Sequence, residues 1–177
     1  RAAPPTRAAE GMATLRKQLL LVSLCFAAAY PSGGSEFGLA FLAANKAKPG
    51  VVELPSGLQY KVLVSGEGKD HPTKDSPCFC HYEGRTAANY PSGDKFDSSY
   101  DRGQPAKFAP NQVIRGWTEA MQMMVEGDKW ELYIPPRLAY GARGRPPKIP
   151  GHSVLIFTIE IKRITGNKKP KAAAVEL

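Results

Sequence analysis

The chain has 177 residues, 42% of them hydrophobic and 23% charged. This composition belongs to folded globular proteins, excludes a disordered or fibrous chain, and leaves room for one domain of about 100–150 residues plus extensions. The formal charge is +8, but residues 1–29 hold four basic side chains against one acidic, and much of the remaining +5 sits in 143–148 and 168–171. Charge this small and this local predicts no nucleic-acid partner.

Residues 1–30 read as a leader and signal peptide rather than as part of a folded domain. Met12 precedes Arg16-Lys17, an apolar run from Leu19 to Ala29, and then Pro31-Ser32-Gly33-Gly34-Ser35. That order is the basic, apolar and small-residue sequence of a secretory signal, with residues 1–11 upstream of a start at Met12. The apolar run is too short for a comfortable membrane span. The expected location is the secretory pathway, in the endoplasmic reticulum lumen or outside the cell, with another organelle lumen as the alternative. The terminal Ala174-Val175-Glu176-Leu177 shares only Glu-Leu with a retention signal.

Residues 31–53 read as a linker with a short helix, Glu36 to Lys48, whose Phe37, Ala40, Phe41 and Ala44 share one stripe before Pro49-Gly50 ends it. From Leu58 the period changes to two. Leu58, Tyr60, Val62 and Val64 alternate with Gln59, Lys61 and Leu63; Cys78, Cys80 and Tyr82 share a face, as do Trp130, Leu132 and Ile134, and later Leu155, Phe157, Ile159 and Ile161. Cys78 and Cys80, two apart on one strand, point their side chains nearly parallel, which disfavours a disulfide between them. With no second Cys or His cluster, the expectation is buried thiols and no metal.

One helix interrupts the strands. Val113, Ile114, Trp117, Ala120, Met121 and Met124 have helical spacing, and Gly127 suits a C-terminal cap. The predicted fold is α+β, a curved antiparallel sheet wrapped around one short helix, with a ligand groove between them. Residues 166–177 read as a basic flexible tail.

Three segments, Phe96-Asp97-Ser98-Ser99, Val113-Ile114-Arg115-Gly116-Trp117 and Leu138-Ala139-Tyr140-Gly141, together with Tyr82 and Phe157, supply aromatics at non-periodic positions. No serine, cysteine or histidine accompanies them in a nucleophile arrangement. Such a site binds an apolar segment and acts on its shape rather than its bonds. These segments, with Leu54-Pro55-Ser56-Gly57-Leu58-Gln59-Tyr60, His81-Tyr82-Glu83-Gly84, Glu126-Gly127-Asp128, Ile134-Pro135, Ile149-Pro150 and Leu155-Ile156-Phe157, stand in the order of the FK506-binding (FKBP) type peptidyl-prolyl cis-trans isomerases. The chain resembles that family over residues 54–165, closest in style to its secreted, macrophage-infectivity-potentiator-like members.

The resemblance implies an FKBP-like fold and catalysis of X–Pro isomerisation in protein folding, whose uncatalysed barrier is roughly 18–20 kcal/mol. The alternative is a non-catalytic chaperone or scaffold using the same pocket. Implied catalytic residues are Asp97, Tyr140, Trp117, Tyr82 and Phe157, with Trp117 as the pocket floor. Implied substrate-binding residues are Phe96, Arg102, Val113, Ile114, Ile149 and Phe108. Arg102 would orient Asp97, and Ile114 would offer its backbone N–H to a ligand carbonyl. Expected partners are proline-containing peptides, unfolded proteins and the macrolide inhibitors of the family; the expected state is a monomer without cofactor or metal.

Three features depart from the family pattern. Ala106 replaces an aromatic wall common among its members, Arg145 and Lys148 replace uncharged residues in the loop over the pocket, and 86–93 lengthens a hairpin by about four residues, expected to form an exposed tip.

Overall fold

The alternation is clearest in β4, Cys78–Thr86, where every second residue from Cys78 to Thr86 is buried. A computed structural model describes residues 34–171. In chain order it contains α1 (Gly34–Asn45), β1 (Val51–Glu53), β2 (Gln59–Val64), β3 (Asp70–Pro72), β4, β5 (Asp97–Ser98), β6 (Ala106–Phe108), α2 (Arg115–Met121), β7 (Lys129–Ile134), β8 (Leu155–Ile164) and β9 (Lys168–Pro170). The main sheet is antiparallel, in the order β1-β2-β7-β8-β4-β5, with β6 also paired to β4. One face packs on α2 through Cys80, Tyr82, Leu132, Ile134, Phe157, Ile159, Ala120 and Met121. This is the predicted α+β architecture. Residues 1–30, expected to be leader and signal peptide, lie outside the described residues. No helix among the described residues is long and apolar enough to cross a membrane.

The helix over the core is shorter than its apolar spacing predicts. It spans Arg115–Met121, and Val113 and Ile114 are extended residues leading into it. Gly116 permits its close approach to β7, because a Cβ there would lie 2.6 Å from Ile134 Cγ2. Cys78 and Cys80 are free, buried thiols. Burial pushes the Cys78 pKa up to about 11, helped by the nearby Glu126 charge, and pushes Cys80 higher still.

Four expectations are corrected or refined. The short helix expected within 31–53 is present as α1, but it is packed rather than part of a linker: it lies on the opposite face of the sheet, where Leu42 and Phe41 cover Tyr133, Val154 and Ile156. Gly38 lets it sit flush, a Cβ there falling 2.7 Å from Val154 Cγ2. The helix also buries Gln59, whose amide donates to the Leu42 carbonyl at 3.0 Å and accepts from Asn45 at 3.1 Å. The 86–93 insertion is exposed at 88–89 and 91–93, as expected, but it is anchored at two points. Ala87 is buried and donates its N–H to Val154 O, while Tyr90 meets Phe41 edge-on at 5.8 Å.

Nor is 168–170 a flexible tail, since β9 pairs with β3 in a second, two-stranded sheet; residues 172–177 lie outside the described residues. Finally, Val62 and Val64 are 43% and 52% exposed rather than inward, and the register with β7 shifts between them. Only Leu58 and the stacked Tyr60–Trp130 pair, 4.5 Å apart, keep that stripe in the core.

Candidate active site

The short α2 leaves space between itself and the sheet. Because the chain enters α2 through extended Val113 and Ile114, a cavity of about 770 Å³ opens beside Trp117. Its lining contains every predicted site residue but one: Tyr82, Phe96, Asp97, Phe108, Val113, Ile114, Trp117, Tyr140, Ile149 and Phe157. The exception is Arg102, which reaches the site only through Asp97 and Tyr82. Gln112, Pro146 and Pro147 also line the cavity and were not predicted. Gln112 is exposed and bonded locally to the Ala109 N–H, so nothing in its sequence context signals a site.

Trp117 is 4% exposed and is ringed by three edge-to-face aromatics: Phe157 at 5.0 Å, Tyr82 at 5.2 Å and Phe108 at 6.0 Å. Phe96 meets Phe157 edge-on at 5.3 Å. Such contacts are directional and hold a floor and walls more rigidly than aliphatic packing does. Gly84 makes the corner possible, because a Cβ there would lie 2.5 Å from Phe157 and 2.6 Å from Phe96. The Trp117 indole N–H is buried without a hydrogen-bond partner among the described residues, but so is that of Trp130 outside the cavity, so this does not single out Trp117. Ala106, on β6, pairs with Cys80 of β4 and does not line the cavity; Phe108, two residues on, supplies a wall.

The polar groups at the mouth form a closed triangle. Tyr82 donates its hydroxyl to Asp97 Oδ2 at 2.6 Å, Arg102 Nη1 donates to Asp97 Oδ1 at 2.5 Å, and Arg102 Nη2 donates to the Tyr82 hydroxyl at 2.8 Å. Burial works against the Asp97 charge, but the bonds from Tyr82 and Arg102 and the guanidinium charge outweigh it. Its carboxyl therefore titrates below the ordinary Asp range. Burial and the bond to Asp97 together raise the Tyr82 hydroxyl. A carboxylate with both oxygens occupied and a lowered pKa is a poor general base.

The other rim is a tight loop. Arg145 and Ile149 exchange backbone hydrogen bonds at 2.7 and 3.1 Å, Gly144 N–H bonds to Tyr140 O at 3.1 Å, and His152 N–H bonds to Gly141 O at 2.8 Å. Ile149 anchors the loop in the core. The Arg145 guanidinium lies 5.9 Å from the Tyr140 ring centre, and Lys148 Nζ donates to the Phe96 carbonyl at 3.1 Å. The lining holds no Ser, Thr, Cys or His, and no three metal-ligating side chains gather among the described residues. The Ile114 N–H has no partner among the described residues.

Residues 68–162 match the family described as FKBP-type peptidyl-prolyl cis-trans isomerase, and residues 32–62 match the domain amino-terminal to it. The chain is 45% identical over 136 residues to the macrophage infectivity potentiator of Trypanosoma cruzi, covering 77% of this chain and 67% of that protein. It is 49% identical over 127 residues to the peptidyl-prolyl cis-trans isomerase Mip of Coxiella burnetii, covering 72% of this chain and 53% of that one. The structure superposes on a crystal structure of a peptidyl-prolyl cis-trans isomerase from Pseudomonas syringae with a TM-score of 0.67 and 38% identity, over 75% of this chain and 94% of that chain. The chain thus spans two-thirds of the trypanosomal relative and about half of the Coxiella one. It belongs to the FKBP-type peptidyl-prolyl cis-trans isomerase family.

Proposed function

We propose that this chain catalyses cis-trans isomerisation of X–Pro bonds in peptides and unfolded proteins, with the aromatic cavity as its site. The observation that carries the reading is an apolar, tryptophan-floored cavity without Ser, Thr, Cys or His, edged by a carboxylate whose two oxygens each already accept a hydrogen bond. A proline ring has no donor and packs on the flat face of Trp117, between Tyr82, Phe108 and Phe157. The planar amide is strongly dipolar, whereas the twisted amide has lost its conjugation and carries less charge on oxygen. Removing water therefore costs the planar form more than the twisted one, which lowers the barrier without a covalent step.

The Ile114 N–H and the Tyr140 hydroxyl hold the carbonyls on either side of the proline. Asp97 steadies the twisted carbonyl carbon electrostatically, and Arg102 positions Asp97 and Tyr82 rather than touching substrate. Macrolide inhibitors of the family should occupy the same floor. The protein is read as exported and monomeric. Export is supported by the basic and apolar pattern of residues 12–35 and by a Legionella longbeachae relative named outer membrane protein MIP; the monomer reading is supported by α1, which packs Leu42 within its own domain. Isomerisation of a tetrapeptide with an apolar residue before proline tests the activity. Acceleration over the uncatalysed rate supports it, and binding without turnover would leave a chaperone or scaffold.

A further inference from the structure

We infer that Arg145 and Lys148 make the mouth of the cavity selective for X–Pro segments carrying a Glu or Asp next to the proline. The inference rests on the isomerase reading of the cavity and deepens it. Its starting point is charge. Asp97 is the one carboxylate in the lining, and Arg102 and Tyr82 already occupy both of its oxygens. Arg145 and Lys148 line the same cavity, and neither forms an ion pair with any of the described residues. The rim therefore presents two cations beside a largely apolar space, where the one carboxylate, Asp97, is in direct ion contact with Arg102 and with neither of them.

The donors are also available. An ammonium has three, and Lys148 gives one to the Phe96 carbonyl, leaving two for a ligand. The contact of Arg145 Nη1 with the Tyr140 hydroxyl, at 3.4 Å, is longer than a well-formed hydrogen bond, so a carboxylate competes for the guanidinium easily. Both side chains stand on a loop closed by reciprocal backbone bonds between Arg145 and Ile149. Their backbone is thus ordered before substrate arrives, and less entropy is lost when an acidic group docks. A proline ring on the Trp117 floor leaves its neighbours in the chain at the mouth, where these cations lie. An acidic neighbour is attracted there, a neutral one is indifferent, and a basic one is repelled.

The test is kcat/KM of the full chain on tetrapeptides with Glu, Gln or Lys placed before the proline and, in a second series, after it. At low ionic strength Glu should exceed Lys by about three- to tenfold on the flank facing the loop, with Gln between, as expected for attraction in one peptide and repulsion in the other at exposed sites. At about 1 M salt, where screening acts within roughly 3 Å, the ratio should fall below about two. In the double variant Arg145→Gln, Lys148→Gln the ratio should approach one, read within the variant so that any change in overall rate drops out. Equal Glu and Lys rates on both flanks at low salt would overturn the inference, as would a preference that persists in the double variant. Turnover of the Gln peptides without discrimination overturns this inference alone, whereas no turnover of any peptide overturns the isomerase reading with it.

Discussion

Two aromatic clusters lie on opposite faces of the main sheet, one touching it through Phe157 of β8 and Tyr82 of β4, the other through Tyr133 of β7. On one face, Phe157 stands with Tyr82 and Phe108 around Trp117. On the other, Tyr133 sits 6.1 Å from Phe41 and 6.2 Å from Tyr90, with both tyrosine hydroxyls donating to Glu131. Ring chemistry and edge-on geometry are much alike in the two, so neither marks a functional site. The covering helix makes the difference. α1 has twelve residues and sits flush through Gly38, leaving Tyr133 only 2% exposed. α2 has seven, is entered through extended Val113 and Ile114, and leaves the cavity open. One cluster is core and the other lines a cavity, on opposite faces of the same sheet.

Substitutions can separate the two roles, beginning with the most damaging. Trp117→Ala removes a buried ring that is both floor and core, and should lower stability by about 3–5 kcal/mol in urea unfolding and abolish most turnover of the remaining folded protein. Leu42→Ala, under α1, should lower stability by about 2 kcal/mol, near the low end for a buried leucine that can partly collapse, while leaving kcat/KM unchanged. Loss of turnover in Leu42→Ala would mean that the faces are not independent.

Asp97→Val should reverse that pattern. Its ion pair is half exposed, so stability should change by less than about 1 kcal/mol, whereas kcat/KM should fall at least about tenfold, or about 1.4 kcal/mol in the barrier. Its folded pKa is depressed, so the stability it contributes is present above the unfolded value of about 3.9 and is lost only as pH falls through the lower folded value. The kcat/KM profile should accordingly be flat from about pH 8 to 5. A decline already complete at about pH 5 would show that another group governs turnover.

Much of this arrangement was legible in the residues themselves. The alternation of Cys78, Cys80 and Tyr82, and that of Trp130, Leu132 and Ile134, named the face that packs on α2, and the ordered motifs named the cavity wall. The opposite face was not legible, because what buries it comes from distant chain. Gln59 reads as a solvent residue until Asn45 and Leu42, 14 and 17 residues away, take up its amide. Tyr90 reads as part of a loop tip until Phe41 and Tyr133 meet it. The end of α2 was misjudged because Met124 follows the helical spacing, although its N–H bonds back to Ala120 and Met121 from a turn beyond the last helical residue.

Smaller effects sharpen the contrast. Tyr133→Phe removes only a hydroxyl bonded to Glu131 and should cost about 1 kcal/mol of stability with no change in turnover. Ala106 does not itself line the cavity, but it stands on β6 two residues before Phe108, and Ala106→Phe would add an aromatic beside that wall; macrolide binding should tighten a few-fold by calorimetry, and no gain would show that position 106 does not limit affinity.

The most direct test of the central claim is kcat/KM for isomerisation of one Leu-Pro tetrapeptide by the wild type, Asp97→Val and Tyr133→Phe under identical conditions. The account predicts clear acceleration by the wild type, at least a tenfold loss in Asp97→Val and a rate within twofold of wild type in Tyr133→Phe, taking roughly 1.4 kcal/mol per tenfold. A wild type no faster than the uncatalysed reaction, or a loss in Tyr133→Phe equal to that in Asp97→Val, would contradict it.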